Sequence, residues 1–250
     1  MGAEAQKSYY SEGLLEEAVQ ENRRKLESEP ENHMLRCSLA NGLARLGRFE
    51  EAIDHYQQCI KQSPSSEYWN NLGKALLNAG RYEESIVAFE KVTEKQPWPD
   101  AFFHRAQAYR SLGQLEKAYE QLCEAIRINP KYREALNERA HILEALNRKD
   151  EALTEYKKVI ALFFSEYQAH DSEDYNYETS VLLDNSELVE ELIRQLRRHI
   201  QKFPGFADGY YKLGQALEAK GLKNEAMMAF RKALEINPSY ETARKCFWKR

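Results

Sequence analysis

Residues 66–98 read SEYWNNLGKALLNAGRYEESIVAFEKVTEKQPW, and this stretch decides the fold. Its first half carries apolar residues at steps of three and four, from Trp69 to Leu76, which is typical of one face of a helix. A second apolar series of the same spacing follows Gly80. Pro97 ends it, because proline disfavours helical backbone in the residue before it. Neither helix can bury its apolar face alone, so the hairpin needs neighbours.

The same pattern recurs along the chain. Six of the seven prolines stand 33 or 34 residues apart, except for one interval of 74: Pro30, Pro64, Pro97, Pro130, Pro204 and Pro238. A glycine precedes five of them by 17 residues: Gly13, Gly47, Gly80, Gly113 and Gly221. A small residue follows each glycine after five positions, which lets paired helices approach closely. These intervals predict a series of stacked helix hairpins, and the long interval equals two repeats plus a short insertion.

At this point the chain resembles the tetratricopeptide repeat (TPR) family. The residues that carry the resemblance are Trp69, Leu72, Gly73, Leu76, Gly80, Ser85, Phe89 and Pro97, and again Leu213, Gly214, Leu217, Gly221, Ala226, Phe230, Ala233 and Pro238. The resemblance implies an all-α fold, a right-handed superhelical solenoid of antiparallel helix hairpins. It says little about function, because one fold can serve many different partners.

The repeat interval divides the chain into predicted segments. These are a degenerate N-terminal capping repeat at 1–32, four repeats at 33–65, 66–98, 99–132 and 133–166, an acidic insertion plus a degenerate repeat at 167–206, a repeat at 207–240 and a C-terminal capping helix at 241–250. Gly13 is expected to end a short first helix. Asn147 stands where other repeats have glycine, and asparagine tolerates left-handed backbone better than most residues. Phe164 occupies the proline position, so the preceding helix is expected to continue.

Composition limits the classes of function. The net charge of −4 provides no basic field for nucleic acid. No apolar run approaches the roughly 18–20 residues that span a bilayer, and the N-terminus lacks a signal-peptide pattern. We therefore expect a cytoplasmic protein without direct membrane insertion. The four cysteines form no C-x-x-C pair and lie on predicted helices, which favours buried, reduced thiols.

Residues 159–193 contain nine acidic residues and neither lysine nor arginine. Three interpretations are open for this acidic stretch. A basic partner recognises it, it folds onto basic residues of the same chain, or it is a solvated insertion, as most charge runs are.

In TPR proteins the first helix of each repeat lines a concave groove, and the resemblance implies that this groove binds a protein or an extended peptide. Spacing places these residues there: Asn41, Arg45, Asn70, Asn71, Lys74, Phe103, His104, Gln107, Arg110, Asn137, His141 and Tyr211. Side-chain amides both donate to and accept from a peptide backbone, and an aromatic residue can anchor an apolar side chain. The alternative interpretation is a solvated polar helix face without a ligand.

One specific version of the groove is excluded by the sequence. Some TPR proteins hold a chaperone's acidic C-terminal tail with two asparagines and three basic residues. Asn41 and Asn71 match the asparagines, but Cys37, Asp100 and His104 stand where the cations belong. A terminal carboxylate would lose its charge-assisted hydrogen bonds there.

The chain contains none of the common phosphate-binding, dinucleotide-binding or zinc-protease motifs. We therefore expect no catalytic residues, no metal and no cofactor. The leading hypothesis is a non-enzymatic protein–protein interaction scaffold or adaptor. Two alternatives stay open: a TPR regulatory region or subunit of a larger enzyme complex, and a self-assembling scaffold that forms a homo-oligomer.

Overall fold

The computed structural model describes residues 3–166 and 185–248, and within them every regular element is an α-helix. The helices are α1 Ala3–Ser28, α2 His33–Arg45, α3 Phe49–Gln62, α4 Ser66–Asn78, α5 Tyr82–Thr93, α6 Pro99–Ser111, α7 Leu115–Ile128, α8 Arg133–Ala145, α9 Lys149–Glu166, α10 Ser186–Lys202, α11 Ala207–Ala219, α12 Lys223–Ile236 and α13 Glu241–Trp248. The predicted all-α class is confirmed. None of these helices is both long and apolar enough to cross a membrane.

The turns inside the hairpins have the predicted backbone. Gly47, Gly80, Gly113 and Gly221 adopt φ between 72° and 79°, a left-handed conformation that glycine takes at no steric cost. Asn147 takes the same role with φ 60°, as its position predicts. The helix after it, α9, continues for 18 residues because no proline stops it. Pro99, which lies outside the proline series, occupies the first turn of α6, where a missing N–H costs nothing.

The prediction of a short first helix that ends at Gly13 is wrong. α1 is one helix of 26 residues that runs through Gly13. Glycine costs a helix only about 1 kcal/mol relative to alanine, and no group lies within 4 Å of a Cβ added there. With no packed partner to demand a bend, the helix continues. The assignment of 1–32 as a capping repeat stays a prediction.

The chain divides into two compact units, Met1–Ala135 and Leu136–Arg250. In the first unit, each of the helices α1 to α6 packs against the next one along the chain. Its core includes Val19, Leu39, Leu43, Ala52, Ile53, Tyr56, Leu72 and Leu76, and a second cluster around Phe89, Val92 and Ala101. Residues from successive hairpins share these clusters, which confirms that the hairpins bury their apolar faces against one another.

The two helices of the second hairpin approach each other closely at Gly73 of α4 and Phe89 of α5. A Cβ added at Gly73 would lie 2.8 Å from the Phe89 ring, and Phe89 is fully buried. The hydroxyl of Ser85, also fully buried, donates to the Gly73 carbonyl oxygen at 2.8 Å. The Phe89 ring therefore fills the space that a side chain at position 73 would occupy.

The C-terminal hairpin of the second unit has the same contact between a glycine and an aromatic ring. A Cβ added at Gly214 of α11 would lie 2.5 Å from the ring of Phe230 on α12. At the other side of this unit, His199 of α10 is only 3% exposed. Its ring lies 5.7 Å from Phe164, 4.9 Å from Phe203 and 5.7 Å from Phe206. It is a core residue of this unit.

The described residues cover only part of the acidic stretch. The predicted insertion at 167–172 and the first part of the degenerate repeat lie outside the described residues. In the part that is described, Glu187 pairs with Lys157 at 2.9 Å, Glu190 with Lys220 at 2.6 Å and Glu191 with Arg194 at 2.6 Å. These carboxylates therefore pair with lysine and arginine side chains of the same chain.

Substitution of Gly73 by alanine is expected to destabilise the first unit. The new methyl group would force the Phe89 ring to move, and overpacking of this kind costs about 1–3 kcal/mol. Gly13→Ala is the matched control, because its Cβ meets open space in a helix and should add up to about 1 kcal/mol of stability. Urea unfolding monitored by circular dichroism measures both variants. Equal stability of Gly73→Ala and wild type would contradict the packing described.

The stability of the second unit is expected to decrease in mild acid. Burial lowers the pKa of His199, and the charge of Lys202 lowers it further. The folded state therefore holds a neutral ring, whereas the unfolded chain binds a proton near pH 6.5. Stability is complete above this value and decreases below it, by at most about 1.4 kcal/mol per pH unit. His199→Phe should make the decrease in the urea midpoint between about pH 7.5 and 5.5 smaller. An unchanged decrease in the variant would contradict this role of His199.

Candidate functional site

The candidate site lies on the first helices of three successive hairpins in the first unit. α4 packs against both α2 and α6, so these three helices form one continuous layer. Their side chains that point away from the second helices α3, α5 and α7 make up what we call the first-helix face of this unit. Nine of the predicted groove residues belong to α2, α4 and α6.

Part of the first-helix face is an open depression of about 490 Å³ between α2 and α4. Its lining residues are Asn41, Ala44, Arg45, Phe49, Tyr56, Asn71, Lys74, Ala75 and Asn78. We call it the amide–cation depression, after its three asparagines and two cations. Four predicted groove residues, Asn41, Arg45, Asn71 and Lys74, therefore lie together, as the spacing indicates.

A hydrogen-bond network orders the amides of the depression. Asn41 Oδ1 accepts from the Tyr56 hydroxyl at 2.5 Å and from Asn71 Nδ2 at 3.3 Å. Burial, together with the charge of Glu67, raises the pKa of Tyr56 to about 12, so its hydroxyl remains a donor at neutral pH. Within the described parts of the chain, no hydrogen bond engages Asn41 Nδ2 or Asn71 Oδ1. Asn41 Nδ2 can therefore donate to a ligand, and Asn71 Oδ1 can accept from one.

The first-helix face continues from Lys74 onto α6. His104 Nδ1 lies 2.9 Å from Gln107 Oε1, and the His104 ring stacks on Phe89 at 5.8 Å. An amide oxygen only accepts, so Nδ1 carries the proton and Nε2 is an acceptor. Burial lowers the pKa of His104. The hydrogen bond with Gln107 raises this pKa, and the charge of Lys74 lowers it. His104 is therefore a neutral group beside a cation.

Phe103 is half-buried, next to His104 on α6. Its ring lies 5.3 Å from His104 and 5.2 Å from Tyr132. The Tyr132 hydroxyl donates to Asp100 Oδ1 at 2.8 Å, and burial is the main cause that raises the pKa of Tyr132. The ring of Phe103 thus has one side packed against its own chain. The carboxylate of Asp100 is therefore hydrogen-bonded to Tyr132 of the same chain.

Two predicted groove residues of this unit, Asn70 and Arg110, do not line the amide–cation depression. Asn70 is only 8% exposed, and its Oδ1 has no hydrogen-bond partner among the described residues. The sequence predicts Asn70 on the groove surface, but the structure buries it. Its side chain lies about 100° around α4 from that of Asn71. Arg110 is exposed in the last turn of α6.

Asn137 and His141 lie in the second unit, on α8. Asn137 Nδ2 is 3.3 Å from His141 Nε2, and His141 Nδ1 is 2.8 Å from the Tyr156 hydroxyl of α9. That hydroxyl also bonds to Glu144 Oε2 at 2.9 Å. These polar groups therefore bond largely to one another.

Tyr211 lies on α11 of the second unit. Its hydroxyl accepts from Gln215 Nε2 at 3.0 Å, and its ring lies 5.1 Å from Tyr240. The Tyr240 hydroxyl donates to Asp208, in the way that Tyr132 donates to Asp100 in the first unit. In the sequence, each of these pairs can be recognised by a tyrosine two residues after Pro130 or Pro238 and by an aspartate 32 residues before that tyrosine.

One cysteine pair departs from the expectation of reduced thiols. Cys37 of α2 and Cys59 of α3 are joined as a disulfide, with their Cα atoms 6.2 Å apart, within the range that disulfides span. Both residues are buried in the first hairpin. Cys123 and Cys246 are half-buried and lie outside this disulfide. Sequence spacing alone misses the pair because 22 residues and a turn separate its members.

Sequence spacing misses the two aromatic lining residues of the amide–cation depression, Phe49 and Tyr56. Tyr56 occupies a position where other repeats have Phe89, Leu122 and Phe230. The hydroxyl that distinguishes tyrosine from these residues is the signal, since a buried phenol needs a hydrogen-bond partner. In the described ranges, no group of three His, Cys, Asp or Glu side chains could hold a metal ion.

Comparisons with solved structures find the same fold in proteins of low sequence identity. MamA from Desulfovibrio magneticus RS-1 is 20% identical, with a TM-score of 0.59 over 67% of this chain and 99% of that one. A structure named MamA MSR-1 C2 is 19% identical, with a TM-score of 0.55 over 64% of this chain and 93% of that one. A chain of the APC/C hetero-tetramer Cut9–Hcn1 is 12% identical, with a TM-score of 0.55 over 94% of this chain and 46% of that one. No curated protein matches the sequence.

Models of the repeat family match several segments. One described as a tetratricopeptide repeat matches residues 37–102, another of the same description matches 134–165 and 207–240, and one described as a TPR repeat matches 106–147. Together these segments cover more than half of the chain, and they coincide with the helix hairpins described above. The chain belongs to the tetratricopeptide repeat family.

Proposed function

We propose that the protein is a non-enzymatic interaction scaffold that holds an extended segment of another polypeptide against the first-helix face of its first unit. The observation that supports this most is the amide–cation depression, where Asn41, Asn71, Asn78, Arg45 and Lys74 from two neighbouring helices converge. A repeat stack of this kind exposes one row of helices along its length, which suits a linear ligand.

The free atoms of the depression match the needs of a peptide backbone. A bound segment brings N–H donors and C=O acceptors that lose water on binding, and each must be paired to avoid a penalty of about 1–3 kcal/mol. Asn41 Nδ2 can donate to a backbone carbonyl, and Asn71 Oδ1 can accept from a backbone N–H. The Tyr56 bond fixes the rotamer of Asn41 before the ligand arrives, so less entropy is lost on binding.

The adjoining residues of α6 extend this surface. His104 offers Nε2 as an acceptor, and half-buried Phe103 presents part of a ring to the same face. A ring already packed on one side is a rigid anchor for an apolar side chain of the ligand. The proposed footprint therefore runs from Arg45 on α2 to Phe103 on α6.

Charge reversal at Lys74 is expected to reduce capture of the partner. Affinity capture from cell extract compares wild type, Lys74→Glu and the control Lys61→Glu, which reverses an exposed charge at the end of α3 outside the depression. Loss of a charge-assisted contact should lower partner recovery at least about fivefold for Lys74→Glu. Lys61→Glu should behave as wild type. Circular dichroism establishes that both variants are folded.

Unchanged recovery with Lys74→Glu would contradict the proposed binding surface. Equal loss with Lys61→Glu would also contradict it, because a general charge effect would then explain the result.

A further inference from the structure

The amide–cation depression has an unusual charge distribution, and this bears on what it binds. Its lining residues include Arg45 and Lys74 but no aspartate or glutamate. Arg45 is exposed and Lys74 is half-buried. Within the described ranges, neither side chain takes part in an ion pair. The depression is therefore a positive site, although the whole chain carries a net charge of −4.

Other arginines of the first unit are placed differently. Arg23 and Arg48 both pair with Glu51, Arg81 pairs with Glu84, Arg105 with Glu90 and Arg127 with Glu124. Each of these five arginines has a carboxylate within 3 Å. Arg45 and Lys74 have no such partner among the described residues.

The acidic residues at the margin of the depression do not neutralise it. Glu67 of α4 acts on Tyr56 through its charge, and Asp100 of α6 accepts the Tyr132 hydroxyl. Neither lines the depression. Burial is the main cause that lowers the pKa of His104, and the charge of Lys74 lowers it further.

We propose that the amide–cation depression selects an acidic segment, in which the side-chain carboxylates of an extended peptide pair with Arg45 and Lys74. This inference rests on the proposed function and adds the chemistry of the partner. The carboxylates supply the charge that the depression lacks, while Asn41 and Asn71 bond the peptide backbone. Charge-assisted bonds of this type are about twice as strong as neutral ones. The peptide needs no terminal carboxylate, because its side-chain carboxylates pair with both Arg45 and Lys74.

Fluorescence anisotropy with three labelled peptides tests the inference. Each peptide alternates serine with one other residue over about ten positions, long enough to cross three helices at roughly 3.3 Å per residue. The other residue is glutamate, glutamine or lysine. All peptides are acetylated and amidated, so that no terminal charge contributes. The glutamate peptide should bind at least about tenfold more tightly than the glutamine peptide, and addition of salt should weaken this binding.

Variants of the intact chain locate the interaction. Arg45→Gln and Lys74→Gln should each weaken binding of the glutamate peptide about tenfold, whereas Lys61→Gln should leave it unchanged. These neutral substitutions lie on exposed or half-buried helix positions, and circular dichroism verifies the fold of each variant.

Equal affinity for the glutamate and glutamine peptides would overturn the charge assignment. If that equal binding still depended on Asn71, the proposed groove would stand with a neutral ligand. Preference for the lysine peptide, or no binding of the glutamate peptide at low salt, would also overturn the inference. The capture experiment with Lys74→Glu and Lys61→Glu then decides separately whether the first-helix face binds a partner at all.

Discussion

The structure depends on the close approach of an aromatic ring to the backbone of the paired helix. Phe89 packs against Gly73 because no side chain stands between them, and Phe230 packs against Gly214 for the same reason. Ser85 reinforces the first of these contacts with a hydrogen bond to the Gly73 carbonyl. Once two helices lie this close, each hairpin has one apolar side left, and only another hairpin can cover it.

The stacking of hairpins has a consequence for the polar surface. Ion pairs gather where successive hairpins meet near their turns. Arg48 bonds Glu51 in its own hairpin and Glu16 of α1, and Arg81 bonds Glu84 in its own hairpin and Glu50 of the preceding one. Each exposed pair contributes little, on the order of 0–1 kcal/mol. Among the described residues, none of these ion pairs includes the two cations of the amide–cation depression, Arg45 and Lys74.

Much of the fold could be predicted because its physical signals are local and periodic. Proline and glycine positions predict the hairpin boundaries, and Asn147, at a glycine position of the repeat, has the left-handed φ of 60° that this position requires. The turn expected at Gly13 does not form, because a glycine signals a turn only when packing requires one. The burial of His199 could not be predicted from its polar residue type, because it depends on aromatic rings from other parts of the second unit.

The candidate site was harder to predict than the fold. Helical spacing placed Asn41, Arg45, Asn71 and Lys74 on one face, and the structure brings them together. It also predicted Asn70 there, although a step of one residue turns a side chain by 100° and places Asn70 in the packed layer. The Tyr56 hydroxyl reaches Asn41 from another helix, and sequence spacing along one helix cannot show such contacts.

The proposal that the first-helix face binds another polypeptide can be tested most directly by photo-cross-linking. A benzophenone amino acid placed at Asn78, which is exposed within the depression, is compared with the same group at Lys61, which is exposed outside it. The account predicts a covalent adduct with another polypeptide from position 78 and none from position 61. Adducts of equal yield from both positions, or an adduct from position 61 alone, would contradict it.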